Sequence, residues 1–240
     1  TILRIIKEHG LGADVVSDGE LRKVLSLGFK PNKIVYSGVG KKFEELKFAI
    51  KKNILLINVE SESELKNIQK LAEKLRKRVS VGLRLNPNID AKTNTKISTG
   101  RMQDKFGLNN SDIIKILNKF RNSKNIKIKC LSVHIGSQIM QNRPYNNVLV
   151  ALNKILSKSK YKFEYIDLGG GMGIKYINDN KKLDYSKLSK NIYKFSKKND
   201  CKIIFEPGRS IVGNTAVLLT KVIYIKNSSN KKFVIIDAGM

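Results

Sequence analysis

The chain alternates short β-branched runs with amphipathic helical stretches along most of its length, and this alternation restricts the fold more than any other feature. Between the runs, apolar side chains recur at helical spacing, as in Leu65, Ile68 and Leu71. Strict alternation of this kind predicts parallel strands joined by crossover helices. The predicted strands are Asp14–Val16, Ile34–Ser37, Leu55–Val59, Val79–Leu85, Ile128–Ile135, Phe163–Leu168 and Lys202–Phe205.

Two sheet layouts fit such a series: an open doubly wound sheet, or a closed eight-stranded barrel. Polar groups follow nearly every predicted strand, and barrel enzymes gather such groups at one mouth. An open sheet would concentrate them at a single switch point. We therefore predict an α/β fold, a (β/α)8 TIM-type barrel with seven of its eight strands present. The strand expected before the opening helix would lie upstream of Thr1.

The pattern changes after Arg209, where two further strands, Val217–Ile225 and Lys232–Asp237, flank a turn-rich stretch at 227–230. An isolated hairpin is only marginally stable in water, so this pair predicts the beginning of a second, all-β domain. The expected domains are a partial barrel over 1–211 and a truncated β-domain over 212–240. We expect the sequence to be a fragment at both ends.

The net charge of +27, from 47 Lys and Arg against 20 Asp and Glu, raises the possibility of a nucleic-acid partner. However, 38 of those cations are lysines scattered along the predicted helices, whereas readers of phosphates and bases favour arginine. We therefore expect no nucleic-acid partner.

No apolar run approaches the roughly 20 residues of a membrane span, and no leader is recognisable.

Cys130 and Cys201 form neither a disulfide framework nor a metal set, and they lie among apolar neighbours. Neither His-Glu-x-x-His nor Cys-x-x-Cys occurs, so no metal site is expected. These observations favour a cytoplasmic protein without a metal.

Ser17-x-x-Glu20 and Ser61-x-x-Glu64 predict capping boxes, and for Glu20 we prefer this role to a catalytic one.

Three loop motifs could carry chemistry, and each has a structural alternative. Gly169–Gly171 could bring backbone N–H groups to a phosphate, or it could simply form a tight βα turn. Glu206-Pro-Gly-Arg209 could address two ligand groups, or it could form an ion pair or a cap. His134, between apolar neighbours, could be a base, a stacking platform or a core histidine.

Taken together, the three motifs are far more specific. His-Ile-Gly-Ser-Gln (134–138), Gly-Gly-Gly and Glu-Pro-Gly-Arg follow one another on successive strands, and the chain resembles the fold-type III pyridoxal-phosphate decarboxylases. VSDGEL (16–21) and LRLNP (83–87) are similar to further family segments, as are STG (98–100) with KFG (105–107) and DAGM (237–240). The Gln after His-Ile-Gly-Ser and the STG…KFG segment favour the diaminopimelate branch over the ornithine and arginine branches.

The resemblance implies pyridoxal 5'-phosphate as cofactor, an amino-acid substrate and a homodimer of the intact protein. It assigns Glu206 to the ring nitrogen and His134 to the ring face. It implies that the phosphate lies against Gly169, Gly170 and Gly171, with Ser137 and the Pro207-Gly208 backbone. Arg209 would meet either the phosphate or a substrate carboxylate, and Arg84 would lie beneath the cofactor near Glu206.

Two departures from the family pattern affect the expected activity. The family's Schiff-base lysine lies in a Tyr-x-x-Lys-Ala-Asn-like segment, and none of the 38 lysines here has that context. Cys130 and Cys201 do not match the cysteine of the family's C-terminal domain. We therefore expect the intact parent to form L-lysine and CO2 from meso-2,6-diaminopimelate and this fragment to be inactive. The alternatives are a decarboxylase of ornithine, arginine or carboxynorspermidine, or a non-catalytic pyridoxal-phosphate-binding relative.

Overall fold

The computed structural model describes residues 1–91, 99–101, 103–176 and 183–238. The chain divides into two compact units, residues 1–210 and a second unit that begins at Ile211. The assignment of 1–211 to a cofactor-binding domain and of 212–240 to the start of a β-domain stays a prediction.

The first unit is built on a seven-stranded parallel sheet in which every strand pairs with the next one in sequence. An open doubly wound sheet would reverse its strand order at a switch point, whereas a strictly sequential order is that of a barrel. The prediction of a barrel-type fold with seven strands is therefore confirmed. The strands are β1 Ala13–Val15, β2 Ile34–Tyr36, β3 Leu56–Val59, β4 Val79–Arg84, β5 Ile126–Ser132, β6 Tyr165–Asp167 and β7 Lys202–Ile204.

Helices alternate with these strands and bury their apolar faces against the sheet. In α4, for example, Leu65, Ile68 and Leu71 are all at most 1% exposed, as their helical spacing predicts. Among the described residues, no helix is long and apolar enough to cross a membrane. The helices are α1 Ile2–Glu8, α2 Asp18–Ser26, α3 Phe43–Lys52, α4 Glu62–Lys74, α5 Asn110–Phe120, α6 Asn142–Ser159, α7 Tyr185–Asn199 and α8 Arg209–Val212.

Most strands end earlier than the sequence predicts, since their last apolar residues belong to the loops. β5 ends at Ser132 rather than at Ile135, and β6 covers Tyr165–Asp167 instead of Phe163–Leu168. Gly136 and Gly169 have φ of 142° and 64°, so the chain turns at these positions and cannot continue as a strand. Buried loop residues such as Ile135 thus imitate strand residues in the sequence.

The second unit contains the predicted antiparallel hairpin, formed by β8 (Val222–Ser228) and β9 (Lys231–Ile236). The predicted start of its first strand at Val217 is wrong. Val217 and Leu219 are 95% and 94% exposed and precede the ladder, so their apolar character does not reflect strand pairing.

At both predicted capping boxes the serine caps its helix, but the glutamate bonds the residue before the serine instead of the serine itself. Ser17 and Ser61 accept hydrogen bonds from the N–H groups of Glu20 and Glu64 at 3.2 Å. The glutamate side chains accept in return from the residue before the cap, Val16 N–H for Glu20 and Glu60 N–H for Glu64, at 2.8 Å. Glu20 therefore stabilises the start of α2, as expected.

A buried ammonium group joins the loop that follows β2 to strand β3 and helix α4. Lys41 Nζ donates to Gly38 O at 2.6 Å, to Asn58 O at 2.7 Å and to Glu64 Oε1 at 2.6 Å. Its side chain is 1% exposed, and that of Glu64 is 11% exposed. All three ammonium donors are therefore satisfied, which a buried charge requires.

We expect Lys41→Met to lower the free energy of unfolding by about 3–5 kcal/mol, because it leaves Glu64 buried without its cation. The control is Lys47→Met, whose pair with Glu44 at 3.1 Å is largely exposed and should contribute about 0–1 kcal/mol. Urea unfolding followed by circular dichroism measures both. Equal losses in the two variants would contradict a buried ionic role for Lys41.

Candidate functional site

A cavity of about 410 Å³ lies at the carboxyl ends of the parallel strands in the first unit. Each of the seven strands, or the loop that follows it, contributes to its wall, and the volume suits a small molecule. Its lining residues are Asp14, Val16, Ser37, Gly38, Val39, Asn58, Arg84, Thr99, Phe106, Ser132, Val133, His134, Asp167 and Glu206.

Glu206 enters this cavity directly after β7, where its N–H donates to Gly169 O at 2.9 Å. Its carboxyl group shares the cavity lining with that of Asp167, which influences its pKa. Its Oε1 atom is buried and receives no hydrogen bond from any described residue. Burial and then the negative charge of Asp167 raise the pKa of Glu206 well above its ordinary value. These surroundings favour the protonated form of Glu206.

Asp167, which the sequence analysis missed, is the most deeply buried charged residue of the cavity, with 1% exposure. Its Oδ1 atom accepts from Gly169 N–H at 2.9 Å, and its Oδ2 atom accepts from Asn58 Nδ2 at 3.4 Å. The available signal was an acidic residue inside the apolar strand β6. Such a residue needs buried partners, and these come from other strands.

Arg84 lies in the cavity wall at the end of β4. Its Nη1 atom donates to Glu60 Oε1 at 2.6 Å, and Glu60 Oε2 accepts from Gly107 N–H at 2.8 Å. The guanidinium carbon lies 4.7 Å from the centre of the Phe106 ring. Arg84 is therefore held by an ion pair and an aromatic face, with its charge toward the carboxyl groups of the cavity.

His134 follows β5 and is a neutral imidazole. Its Nδ1 atom lies 3.2 Å from Gly170 N, and because the amide can only donate, Nδ1 is the acceptor and Nε2 carries the hydrogen. Burial, together with the charge of Arg84, lowers the pKa of His134 to about 4. The ring is therefore uncharged at neutral pH, which does not favour a role as a cationic acid.

The triple glycine allows the loop after β6 to pass between the loops after β5 and β7. A Cβ atom on Gly170 would lie 2.1 Å from Glu206 O, and one on Gly171 would lie 2.3 Å from Gly136 O. The N–H groups of Gly169 and Gly170 already donate to Asp167 and His134. The glycines are therefore needed to let this turn pack tightly between its neighbours, whether or not the turn also contacts a ligand.

Ser137 and Arg209 are brought together beside this turn. Arg209 Nε donates to Ser137 Oγ at 3.1 Å, and its Nη1 atom donates to the hydroxyl of Tyr176. A Cβ atom on Gly208 would meet no heavy atom within 4 Å, so the Pro207-Gly208 step leaves open space in front of Arg209.

The structure thus divides the predicted site residues into two sets. His134, Arg84 and Glu206 line the cavity. The others lie outside its lining: Ser137, Gly169, Gly170, Gly171, Pro207, Gly208 and Arg209. Besides Asp167, the sequence analysis missed Asp14 and Asn58, which are hidden inside β1 and β3.

The segments that carried the resemblance brace the site. Gln138, the residue that favours the diaminopimelate branch, accepts from Ile174 N–H at 3.1 Å and donates to Ile174 O at 2.6 Å. Thr99 Oγ1 donates to His134 O at 2.8 Å. Ser98 of STG, and Gly239 and Met240 of DAGM, lie outside the described residues.

In the described part of the chain, no cluster of His, Cys, Asp and Glu could hold a metal.

A barrel with these loops matches a known class of cofactor-binding domain. The pyridoxal binding domain of the pyridoxal-dependent decarboxylases matches residues 1–213. The chain therefore belongs to this decarboxylase family.

Diaminopimelate decarboxylases are among the relatives of this chain. That of Zymomonas mobilis is 40% identical, and the match covers 100% of this chain and 58% of that protein. The Helicobacter pylori enzyme, in a crystal structure complexed with L-lysine, is 39% identical with a TM-score of 0.90, covering 100% of this chain and 61% of that one. An enzyme from M. jannaschii in co-complex with L-lysine is 35% identical with a TM-score of 0.85, covering 100% and 57%. This chain spans less than two thirds of their length.

We expect the imidazole of His134 to titrate with a midpoint near pH 4 and to carry its hydrogen on Nε2 above that pH. Because the unfolded chain binds this proton near pH 6.5, stability should rise with pH across about 4 to 6.5 from this group. Nitrogen-15 NMR of the histidines measures the midpoint, with His9→Gln to assign the signals. A midpoint at or above 6.5 would contradict the assignment.

Gly170→Ala should lower the free energy of unfolding by about 1–3 kcal/mol, because the added methyl group overlaps a backbone carbonyl oxygen. Gly40→Ala is the matched control, since a Cβ atom there meets nothing within 4 Å. Urea unfolding compares the two. If Gly170→Ala is as stable as Gly40→Ala, the three loops are not packed as described.

Proposed function

We propose that this chain forms the pyridoxal-phosphate-binding part of a diaminopimelate decarboxylase, which releases CO2 from meso-2,6-diaminopimelate to give L-lysine. The observation that carries this proposal is Glu206: a buried carboxyl group, without a donor among the described residues, in a cavity that also exposes a neutral histidine. The family membership and the diaminopimelate decarboxylases found among its relatives support the choice of substrate.

The residues present fit pyridoxal phosphate. A protonated ring nitrogen offers the N–H donor that Glu206 lacks, and a flat aromatic ring suits the uncharged face of His134. When bound, the cofactor supplies an electron sink for the pair left on the substrate's α-carbon after decarboxylation. Glu206 would hold the proton at the ring nitrogen, which keeps that sink strong.

Arg84 and His134 would position the ring rather than exchange protons. The guanidinium of Arg84 is already paired with Glu60, so it would act as a fixed positive charge below the cofactor. His134 is fixed by the bonds from Gly170 and Thr99 to its Nδ1 and carbonyl groups. A ring held in this way needs little reorganisation on binding.

The phosphate would bind beside the glycine turn. Arg209 and Ser137 already contact each other there, which supports a shared anion more than a substrate carboxylate for Arg209. Gly171, with Gly208 and Pro207 at the open step before Arg209, would complete this cradle. Since the amides of Gly169 and Gly170 have partners, they would support the cradle through its shape.

We propose none of the lysines or cysteines of this chain as the covalent anchor of the cofactor or as an acid toward the substrate. Cys130 is buried and burial raises the pKa of its thiol, which disfavours a thiolate. Both cysteines are free, as in a reduced cytoplasm, the location that we propose together with a homodimeric parent protein.

The test is CO2 release by the product of the complete reading frame, supplied with pyridoxal phosphate and one amino acid at a time. Release from meso-2,6-diaminopimelate, and none from ornithine, arginine or carboxynorspermidine, is the expected result. Release from one of the other three would move the protein to that branch. Cofactor binding without any release would make it a non-catalytic relative.

In the same assay, Glu206→Gln should lower kcat by about 10²–10³-fold, because an amide cannot hold a proton at the ring nitrogen by charge. The control is Glu164→Gln, a residue that pairs with Lys129 at 3.4 Å and does not line the cavity. Unchanged kcat in Glu206→Gln would remove this residue from the proposed site.

A further inference from the structure

Two carboxyl groups, those of Glu206 and Asp167, lie together in the cavity, and the proposed function gives a role only to Glu206. Glu206 is assigned to the ring nitrogen, whereas Asp167 is too deeply buried, with 1% exposure, to be a simple surface acid. Two carboxylates in contact do not both ionise easily in such surroundings, so the pair retains one proton.

The hydrogen bonds of Asp167 show which partner carries that proton. Both of its oxygens accept from amide donors, Gly169 N–H at 2.9 Å and Asn58 Nδ2 at 3.4 Å. Glu206 receives no such donor from the described residues. Donors stabilise the ionised form, so Asp167 is the carboxylate and Glu206 is the acid of the pair.

The same contacts connect separate parts of the site. Asp167 joins the end of β3 through Asn58, the glycine turn through Gly169, and the acid after β7 through Glu206. Asn58 is itself fixed, because its Nδ2 atom also donates to Ser37 Oγ at 3.1 Å. A side chain with these three connections can set the position and the charge of Glu206 together.

We propose that Asp167 is a positioning residue of this site: its carboxylate holds the Glu206 carboxyl group by a hydrogen bond and strengthens Glu206 as the partner of a protonated ring nitrogen. This inference rests on the proposed function, since it concerns the same cofactor. It adds a second carboxyl group to the site, that of Asp167, which would act on the ring nitrogen only through Glu206.

This proposal requires no further reactant, because the proton that Glu206 loses is the one that the ring nitrogen gains. Before binding, Glu206 carries the proton and donates a hydrogen bond to the Asp167 carboxylate. With the cofactor bound, the Glu206 O–H bond would break and an N–H bond would form at the ring nitrogen, and the positive charge gained there would offset the second carboxylate charge. The net charge of the site is unchanged, and Asp167 keeps its two amide donors throughout.

Several other groups face this pair and act on the same proton. Burial raises the pKa of Asp14 on β1 to about 7, and in its ionised form it opposes ionisation of Glu206, whereas Arg84 on β4 favours it. Cys130 on β5 lies close to both carboxyl groups but remains a thiol, and His134 is neutral. Among these groups Asp167 has the largest effect on the pKa of Glu206, so its removal should produce the largest shift.

Asp167→Asn in the product of the complete reading frame, loaded with nitrogen-15-labelled pyridoxal phosphate, tests the proposal. We expect the pH at which the ring nitrogen loses its proton to fall by about 1–3 units, because the neighbouring charge is gone. The variant should fold, since the amide retains an oxygen for Gly169. The unpartnered Oδ1 atom of Asn58 can accept from the new NH2 group after a flip of that side chain.

Asp14→Asn is the matched comparison, because Asp14 acts on Glu206 through space without a hydrogen bond. Its shift in the same measurement should be smaller than that of Asp167→Asn. An unchanged midpoint in folded Asp167→Asn, or an equal or larger shift in Asp14→Asn, would overturn the proposal.

A second measurement uses the cofactor-free protein and does not depend on the folding of Asp167→Asn. Infrared difference spectra at neutral pH should show a protonated carboxyl band that is lost in Glu206→Gln. Absence of that band would refute the shared proton even if the protein binds pyridoxal phosphate. Conversely, the band in a protein that does not bind pyridoxal phosphate would refute the proposed function and leave the carboxyl pair standing.

Discussion

Arg84 balances the charge of the cavity, and the rest of the site depends on this balance. Among the described residues that line the cavity, it is the only cationic side chain, and it faces carboxyl groups contributed by β1, β6 and the loop after β7. One guanidinium, already paired with Glu60, cannot neutralise the three acids of the cavity. A proton on Glu206 removes part of the excess, and a cationic ring nitrogen can take over that role when a cofactor binds.

The loops around this charge cluster have little freedom to move independently. The turn after β6 is held by Asp167, by His134 and by the Tyr145 hydroxyl, which donates to Gly170 O at 2.9 Å. Its glycines lie too close to neighbouring carbonyl oxygens to accept side chains. The loops after β5, β6 and β7 therefore form one rigid wall, which places the candidate ring acid and the candidate stacking histidine at a defined separation.

Much of this arrangement is predictable from the residues, though not all for the same reason. The apolar pattern predicts all seven strands. The helices between them bury one face, so apolar residues recur at helical spacing there, and the short β-branched runs that interrupt this spacing are the strands. The order of His134, Gly169–Gly171 and Glu206 along it predicts that they meet, since parallel strands end on one side of a barrel. Asp167 escaped prediction, because an acid inside an apolar strand reveals its role only through partners on other strands. The strand ends and the start of β8 were misjudged, since apolar loop residues look like strand residues.

The amino-acid sequence alone determines the alternation of strands and helices, the caps at Ser17 and Ser61, and the residue types available at each strand end, all of which depend on neighbours within a few positions. Tertiary structure alone decides the raised pKa of Glu206, the lowered pKa of His134 and the pairing of Arg84 with Glu60. Each of these depends on burial and on charges that lie far apart in the chain. A sequence specifies which groups can ionise, but the distances between them and their exclusion from water decide which ones do.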